Sequence, residues 1–297
     1  MTGKKGTQVN GHRNLRKAWA ICVDFSFLLP TLIIFTLMIV IPFFMGALYA
    51  FTDWNGMTAD FNFVGFANFI RVFNEKRIAD DTWHTLQFTL YQTVSVNVVG
   101  LALAMAIHKA TRFNRMLRTV FFMPFMCSIV FASFIWSYLY RDVGEALLGI
   151  INPLSRMHSV IPGIAVIALW RDAGYAMIIY IAALQGVPDS LYEAAMVDGI
   201  GPVRKFFKIT LPLIVPAITV NVTLYLGWGL KTYDYVMAAT GGGPGSASET
   251  IAMLVYYYTF PWNRAGLGQA FALLMMLGIV IVTQGVARLL RTQEVEM

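Results

Sequence analysis

Charge is scarce in this chain. Asp, Glu, Lys and Arg make up 13% of its 297 residues against 58% hydrophobic, and the mean hydropathy is +0.63. A soluble domain rarely joins so much apolar content to so little charge. Cysteine is rarer still: Cys22 and Cys127 are the only two. They form neither a disulfide framework nor a zinc spacing, and read as small buried residues. His12, His84, His108 and His158 are scattered near the ends of apolar segments or in tails, which suits solvation or capping better than metal ligation. No G-x-x-x-x-G-K-[ST] phosphate loop occurs. Thr240-Gly241-Gly242-Gly243-Pro244-Gly245 is superficially like one but reads as a tight turn. No apolar segment holds a paired His/carboxylate or Ser/His arrangement with catalytic spacing, so a membrane enzyme is disfavoured.

What is present is a series of apolar runs long enough to cross a bilayer, at about 25–50, 84–108, 119–140, 161–185, 211–230 and 266–287. The expectation is an all-α, polytopic membrane protein with about six transmembrane helices. A basic N-terminal segment covers 1–20, the transmembrane domain 21–291, and a short tail 292–297. The first run is too long for a signal peptide, so an uncleaved first span is favoured, kinked at Pro30 and Pro42. The net charge of +6 would point to nucleic acid in a soluble protein. Here it is explained by basic loops on one side of a membrane. Lys109, Arg112, Arg115 and Arg118 fill one loop without an acid, whereas 52–82 is richer in acids. Both termini are therefore expected in the cytoplasm.

Polar residues interrupt the apolar runs. Gln87, Gln92, Ser95 and Asn97 in the second span should face other helices or a cavity. In the fourth span, Trp170-Arg171-Asp172 puts two charges near membrane depth, as a functional pair or an interfacial anchor. Tyr256-Tyr257-Tyr258 and Trp262 suit an interfacial aromatic belt.

The segment 189–212 is different in kind. Between the fourth and fifth runs it is polar and helix-forming. Asp189 or Ser190 can cap it, with Glu193 in the first turn, where a carboxylate suits the helix dipole. Ala194 and Ala195 permit close approach of another surface. Gly199-Ile200-Gly201-Pro202 stops the helix and turns the chain, and a second short helix over 203–209 carries Arg204, Lys205 and Lys208.

The spacing Glu193-Ala194-Ala195, three residues, Gly199, nine residues, Ile209, one residue, Leu211-Pro212 resembles the coupling loop of membrane subunits in bacterial ATP-binding-cassette importers. The likeness extends over about 25–290 and is closest to the sugar-permease branch, of the maltose and glycerol-3-phosphate type. It also rests on Phe63-Val64-Gly65…Asn68-Phe69, Arg118-Thr119…Phe122-Met123-Pro124…Trp136, Asp198-Gly199 and the Thr240–Pro244 turn; His84-Thr85 departs from an expected Asn-Thr.

The resemblance implies a type I importer permease fold in the inner membrane. It implies a second permease, two ATPase subunits that bind ATP and Mg, and an extracytoplasmic binding protein. This chain itself would hold no cofactor or metal and would not be an enzyme. Glu193, Ala194, Ala195, Asp198, Gly199, Arg204 and Lys205 would couple to the ATPase. Sugar sites combine aromatic faces with polar groups, so Trp170, Asp172, Asn221, Tyr225, Trp228 and Asp234 are the candidate substrate path, with Tyr175, Thr232 and Tyr233 beside them. The rival reading, an ion-coupled secondary transporter of a small polar solute, would need inverted repeats and leaves the 189–212 segment unexplained.

Overall fold

A computed structural model describes residues 25–294. The 1–20 segment, Cys22 and the last three residues lie outside them. Among the described residues, twelve helices carry the architecture. The first is α1 (Phe25–Tyr49), followed by α2 (Ala67–Phe73), α3 (Ile78–Ile107), α4 (Arg112–Met126), α5 (Ile129–Leu148) and α6 (Val160–Gly186). After these come α7 (Asp189–Val197), α8 (Pro202–Leu213), α9 (Val215–Leu230), α10 (Asp234–Ala239), α11 (Ile251–Thr259) and α12 (Ala265–Arg291). Among the described residues, extended pairing is limited to one isolated bridge, Thr52 to Phe63.

Four helices, α1, α3, α6 and α12, are each long and apolar enough to cross a membrane. The third and fifth runs are not the continuous helices expected at 119–140 and 211–230. α4 and α5 meet at a 97° bend, and α8 and α9 at 68°. At the first break Cys127 and Ser128 are extended, with ψ of 144° and 150°, and the Ser128 hydroxyl caps α5 by accepting from Phe131 N. Pro124, lacking an N–H, has already weakened the preceding turn. At the second break Ile214 leaves helical geometry between Pro212 and Pro216. Pro42 follows a π turn at Thr36–Val40 in α1, the widened ladder that accompanies a missing donor.

Other boundaries also move. The second span begins at Ile78 rather than 84. Arg112, Arg115 and Arg118 lie on α4 rather than in a loop, behind a Thr111 cap. Arg118 turns back and donates to the carbonyls of Ile107, His108 and Lys109. A cation thus closes the C-terminus of α3, where the dipole favours it. The Phe63–Phe69 stretch is mostly the approach to α2, whose Asn68 ties it to the end of α1 through the Ala50 and Thr52 carbonyls. Tyr258 is buried, stacks on Phe271 and donates to Glu75, so it belongs to the interior rather than to an interfacial belt. His84 bridges α3 to the Glu249 carbonyl at 3.1 Å.

α6 is the central helix. Its buried residues include Ile164, Ile167, Ala168, Ala176, Met177 and Tyr180. It packs against α3 where Gly100 faces Ala176, so closely that a Cβ on Gly100 would sit 2.7 Å from the alanine Cβ. On another side α4 crosses at Gly174. Such small-residue crossings let helices in lipid gain contact that hydrophobicity cannot supply. By contrast no described residue of α1 is buried; it meets the bundle near Gly46 and Gln269.

A Cβ at Gly174 would fall 2.0 Å from the Phe121 carbonyl oxygen. Gly174→Ala is therefore expected to destabilise the fold by about 2–3 kcal/mol through overpacking. Thermal unfolding of the purified protein in detergent measures this, and an unchanged midpoint would mean that α4 does not cross there.

Candidate functional site

Among the described residues, the expected site residues fall in two regions. The first is the cavity built around Arg171 and Asp172. Both lie near the middle of α6, and Asp172 is only 1% exposed. The carboxylate therefore faces the protein interior, where it must be matched by donors. Arg171 Nη1 donates to Asp172 Oδ1 at 2.7 Å, while Gln92 Nε2 from α3 and the Tyr235 hydroxyl from α10 each donate to Oδ2 at 2.9 Å. Burial, reinforced by the Asp172 charge, pushes the Tyr235 phenol far above its ordinary range, so it remains a donor. The Tyr225 hydroxyl donates to the Asp172 carbonyl at 2.9 Å.

Arg171 has a second task. Its Nε donates to the Cys127 carbonyl at 3.0 Å, and its guanidinium lies 4.8 Å over the Phe125 ring. The carbonyl released by the break between α4 and α5 is thus satisfied by a cation from α6. Cys127 is half-buried at this break rather than fully buried as expected.

Beside the pair lies a cavity of about 400 Å³, lined among others by Gln92, Phe125, Arg171, Asp172, Trp228 and Thr232, with Lys231 and Asp234 also on its wall. Of the six sequence-chosen path residues, Asp172, Trp228 and Asp234 line it. The other three do not. Trp170 is one helical step round α6 and packs edge-on against Trp136, 6.1 Å away. Asn221 is wholly buried, reaching the Ala176 carbonyl, and Tyr225 is wholly buried beside Trp228. Asn221, Tyr225, Trp228 and Thr232 do not form a single helical face lining the cavity, because α9 ends at Leu230. Tyr233 lines the cavity, whereas Tyr175 stacks behind Phe125 at 4.5 Å. Arg171, Gln92, Phe125 and Lys231 were not chosen from sequence, although Gln92 and Arg171 stood out there as polar residues in apolar runs.

The second region is the elbow of α7 and α8. The Gly199 turn is as expected: φ is +69°, Gly199 N donates to Met196 O and Ile200 N to Ala195 O. That pair of bonds is a Schellman closure, which needs a left-handed residue at Gly199. The start differs. Pro188 precedes α7 without a side-chain cap from Asp189 or Ser190, and Glu193 falls beyond the first turn. Pro188 has no N–H and fixes the extended geometry, so the carboxylate position nearest the dipole is Asp189 itself. Glu193, Ala194, Asp198 and Arg204 are exposed and Lys205 is half-buried, but Ala195 is buried against its own chain. Ala195 therefore packs the elbow internally instead of facing outward. The Tyr192 hydroxyl reaches Thr210 Oγ1 at 3.1 Å, fastening α7 to α8. Around this scaffold Met196, Val197, Val203 and Phe207 are 60–89% exposed. These apolar side chains on a polar elbow were not singled out from sequence.

Residues 97–293 match the family described as binding-protein-dependent transport system inner membrane component. The chain is 31% identical over 280 residues to the multiple sugar-binding transport system permease protein MsmF of Streptococcus mutans, covering 91% of this chain and 95% of that one. It is 29% identical over 278 residues to the sulfoquinovosyl glycerol transport system permease protein SmoG of Agrobacterium fabrum, covering 90% of each. Its fold is similar to a chain in the crystal structure of a bacterial ABC transporter involved in import of the acidic polysaccharide alginate, with a TM-score of 0.80 at 21% identity over 95% of this chain and 99% of that one.

Replacing Arg171 by Leu leaves Asp172 buried and unpaired and the Cys127 carbonyl bare. The expected cost is about 3–5 kcal/mol, with much of it recovered when Asp172→Leu is added. A double-mutant cycle on thermal stability checks this; a single-variant loss under about 1 kcal/mol would remove the pair's structural role.

Proposed function

Because this chain belongs to the family of binding-protein-dependent transport system inner membrane components, we propose that it is the membrane-spanning subunit of an ATP-driven importer. Its cargo is a sugar or sugar derivative, such as an oligosaccharide, a glycoside or a polyol phosphate, carried across the bacterial inner membrane. Its partners are a second, different permease chain, two ATP-binding-cassette ATPase subunits that hold ATP and Mg, and an extracytoplasmic binding protein. The chain performs no catalysis, carries no cofactor of its own and engages lipid rather than nucleic acid. Both termini, the 1–20 segment, the 292–297 tail and the elbow face the cytoplasm, in keeping with the basic residues near them.

The observation that carries this reading is mechanical continuity. The elbow is fastened internally by Tyr192–Thr210 and by buried Ala195, and it joins α6 directly to α9 through α7 and α8. α6 supplies Asp172 and α9 supplies Trp228 to the cavity. A force applied to the exposed face of the elbow therefore reaches the cavity along two helices. Glu193, Asp198, Arg204 and Lys205 supply charged contacts to the ATPase, Ala194 close approach, and the exposed Met196, Val197, Val203 and Phe207 an apolar core for that contact. Gly199 sets the angle between the two arms.

The cycle follows from differential stabilisation. Loaded binding protein on the outer loops and ATP between the ATPases both favour the outward-facing arrangement. Substrate then enters the cavity, and hydrolysis returns the inward-facing arrangement. An ion-coupled secondary transporter is not favoured, because it gives the elbow no task.

Gly199→Val forces a β-branched residue into φ of +69°. Coupled transport by the reconstituted complex should fall about tenfold while membrane insertion is retained. Normal substrate-stimulated ATPase in this variant would count against the coupling role. Val197 is 89% exposed. A cysteine placed there should react with an impermeant maleimide only from the cytoplasmic side and be shielded by the ATPase; labelling from outside would invert the orientation.

A further inference from the structure

We infer that the cavity beside Asp172 receives an uncharged polyhydroxylated ligand, a neutral sugar unit, and rejects anionic ones. This rests on the importer reading above. Membership of the family leaves the question open: one relative is named for sulfoquinovosyl glycerol, which bears a sulfonate, and a fold neighbour for an acidic polysaccharide.

The charges on the cavity wall offset one another. Arg171 is neutralised by Asp172 at 2.7 Å, and its Nε is committed to the Cys127 carbonyl. The other two charged lining residues, Lys231 and Asp234, are exposed, opposite in sign and three positions apart, and neither forms an ion pair with another described residue. An entering anion finds no net positive charge in return for its lost hydration, and it approaches a buried carboxylate.

The hydrogen-bonding vacancies point the same way. Gln92 and Thr232 line the cavity, at 1% and 5% exposure, and each carries a buried oxygen without a partner among the described residues. Gln92 has given its amide N–H to Asp172, and its Oε1 can only accept. A carboxylate, phosphate or sulfonate group placed against Oε1 brings acceptors alone and leaves it unmet, so an acidic sugar has to keep that group elsewhere, where the wall offers no net positive charge. Both oxygens are closed to solvent in this arrangement, so a sugar hydroxyl meets them once the two side chains turn into the cavity, and it then brings a donor for Gln92 and either role for Thr232. Trp228 and Phe125 supply ring surfaces for the C–H faces of a pyranose. Unmet buried polar atoms in such a site discriminate strongly against ligands that cannot satisfy them.

The test is uptake by vesicles holding the complete transporter, with both permeases, the ATPases and the binding protein. They are offered an equimolar mixture of neutral malto-, xylo-, manno- and fructo-oligosaccharides with oligogalacturonates, oligoalginates, glucuronides and sn-glycerol-3-phosphate, and the lumen is read by mass spectrometry. ATP-dependent accumulation confined to neutral members is expected. Accumulation of an acidic member at a comparable rate overturns the inference and leaves the importer reading intact. Absence of ATP-dependent accumulation of every member sinks the importer reading and this inference with it. Thr232→Val keeps the side chain's shape and removes an unpartnered oxygen. Its half-saturating concentration for the accumulated sugar should rise about fivefold, while the thermal midpoint holds or rises. Gln92→Leu should raise the same concentration. An unchanged half-saturation in Thr232→Val overturns the assignment even if Gln92→Leu fails to fold.

Discussion

The arrangement depends on what Arg171 does at the middle of α6. A membrane interior offers no water to a broken helix, so the carbonyl freed between α4 and α5 must find a donor in the protein. Arg171 provides it at Cys127, and Asp172 beside it balances the charge that this donor brings. Gln92, Tyr225 and Tyr235 then complete the carboxylate and its own backbone from α3, α9 and α10. Several segments are therefore held at one place by the need to satisfy one ion pair. The cavity lies beside it, lined by Phe125 and Ile129 from either side of the sharp turn of α4 into α5.

The parts legible in the sequence are those whose causes are local. Gly199 announces a left-handed turn because glycine is the residue that adopts it without strain, and α7 ends there. The 161–185 run becomes α6 almost to the residue, since hydropathy and length alone define it. The broken spans were hidden for a related reason: a hydropathy window averages across a bend and registers no change at Cys127 or Ile214. Pro124, Pro212 and Pro216 signalled weak points but not the direction of the turn.

The cavity was half legible. Asp172, Trp228 and Asp234 declare themselves as polar or aromatic residues out of place. Trp170 does too, yet a rotation of one residue on α6 directs it to Trp136 instead. Asn221 and Tyr225 serve packing by bonding the backbone of α6. The role of Gln92 depends on the register between α3 and α6, set by Gly100 against Ala176. The partner of Arg171 is a backbone carbonyl, which has no residue identity and leaves no trace in a pattern of side chains.

The break at Cys127–Ser128 also bears on how the protein is made. Helices α4 and α5 emerge from the ribosome before α6, yet the exposed carbonyl at their junction has no donor until Arg171 arrives, 44 residues later. A hydrophobic window with an unsatisfied kink is poorly suited to lipid by itself. It has to wait in the protected surroundings of the insertion machinery, or cross as a straight rod and bend afterwards. Either way, the third span completes its shape only when the fourth has been delivered, so the order of synthesis and the order of folding are not the same.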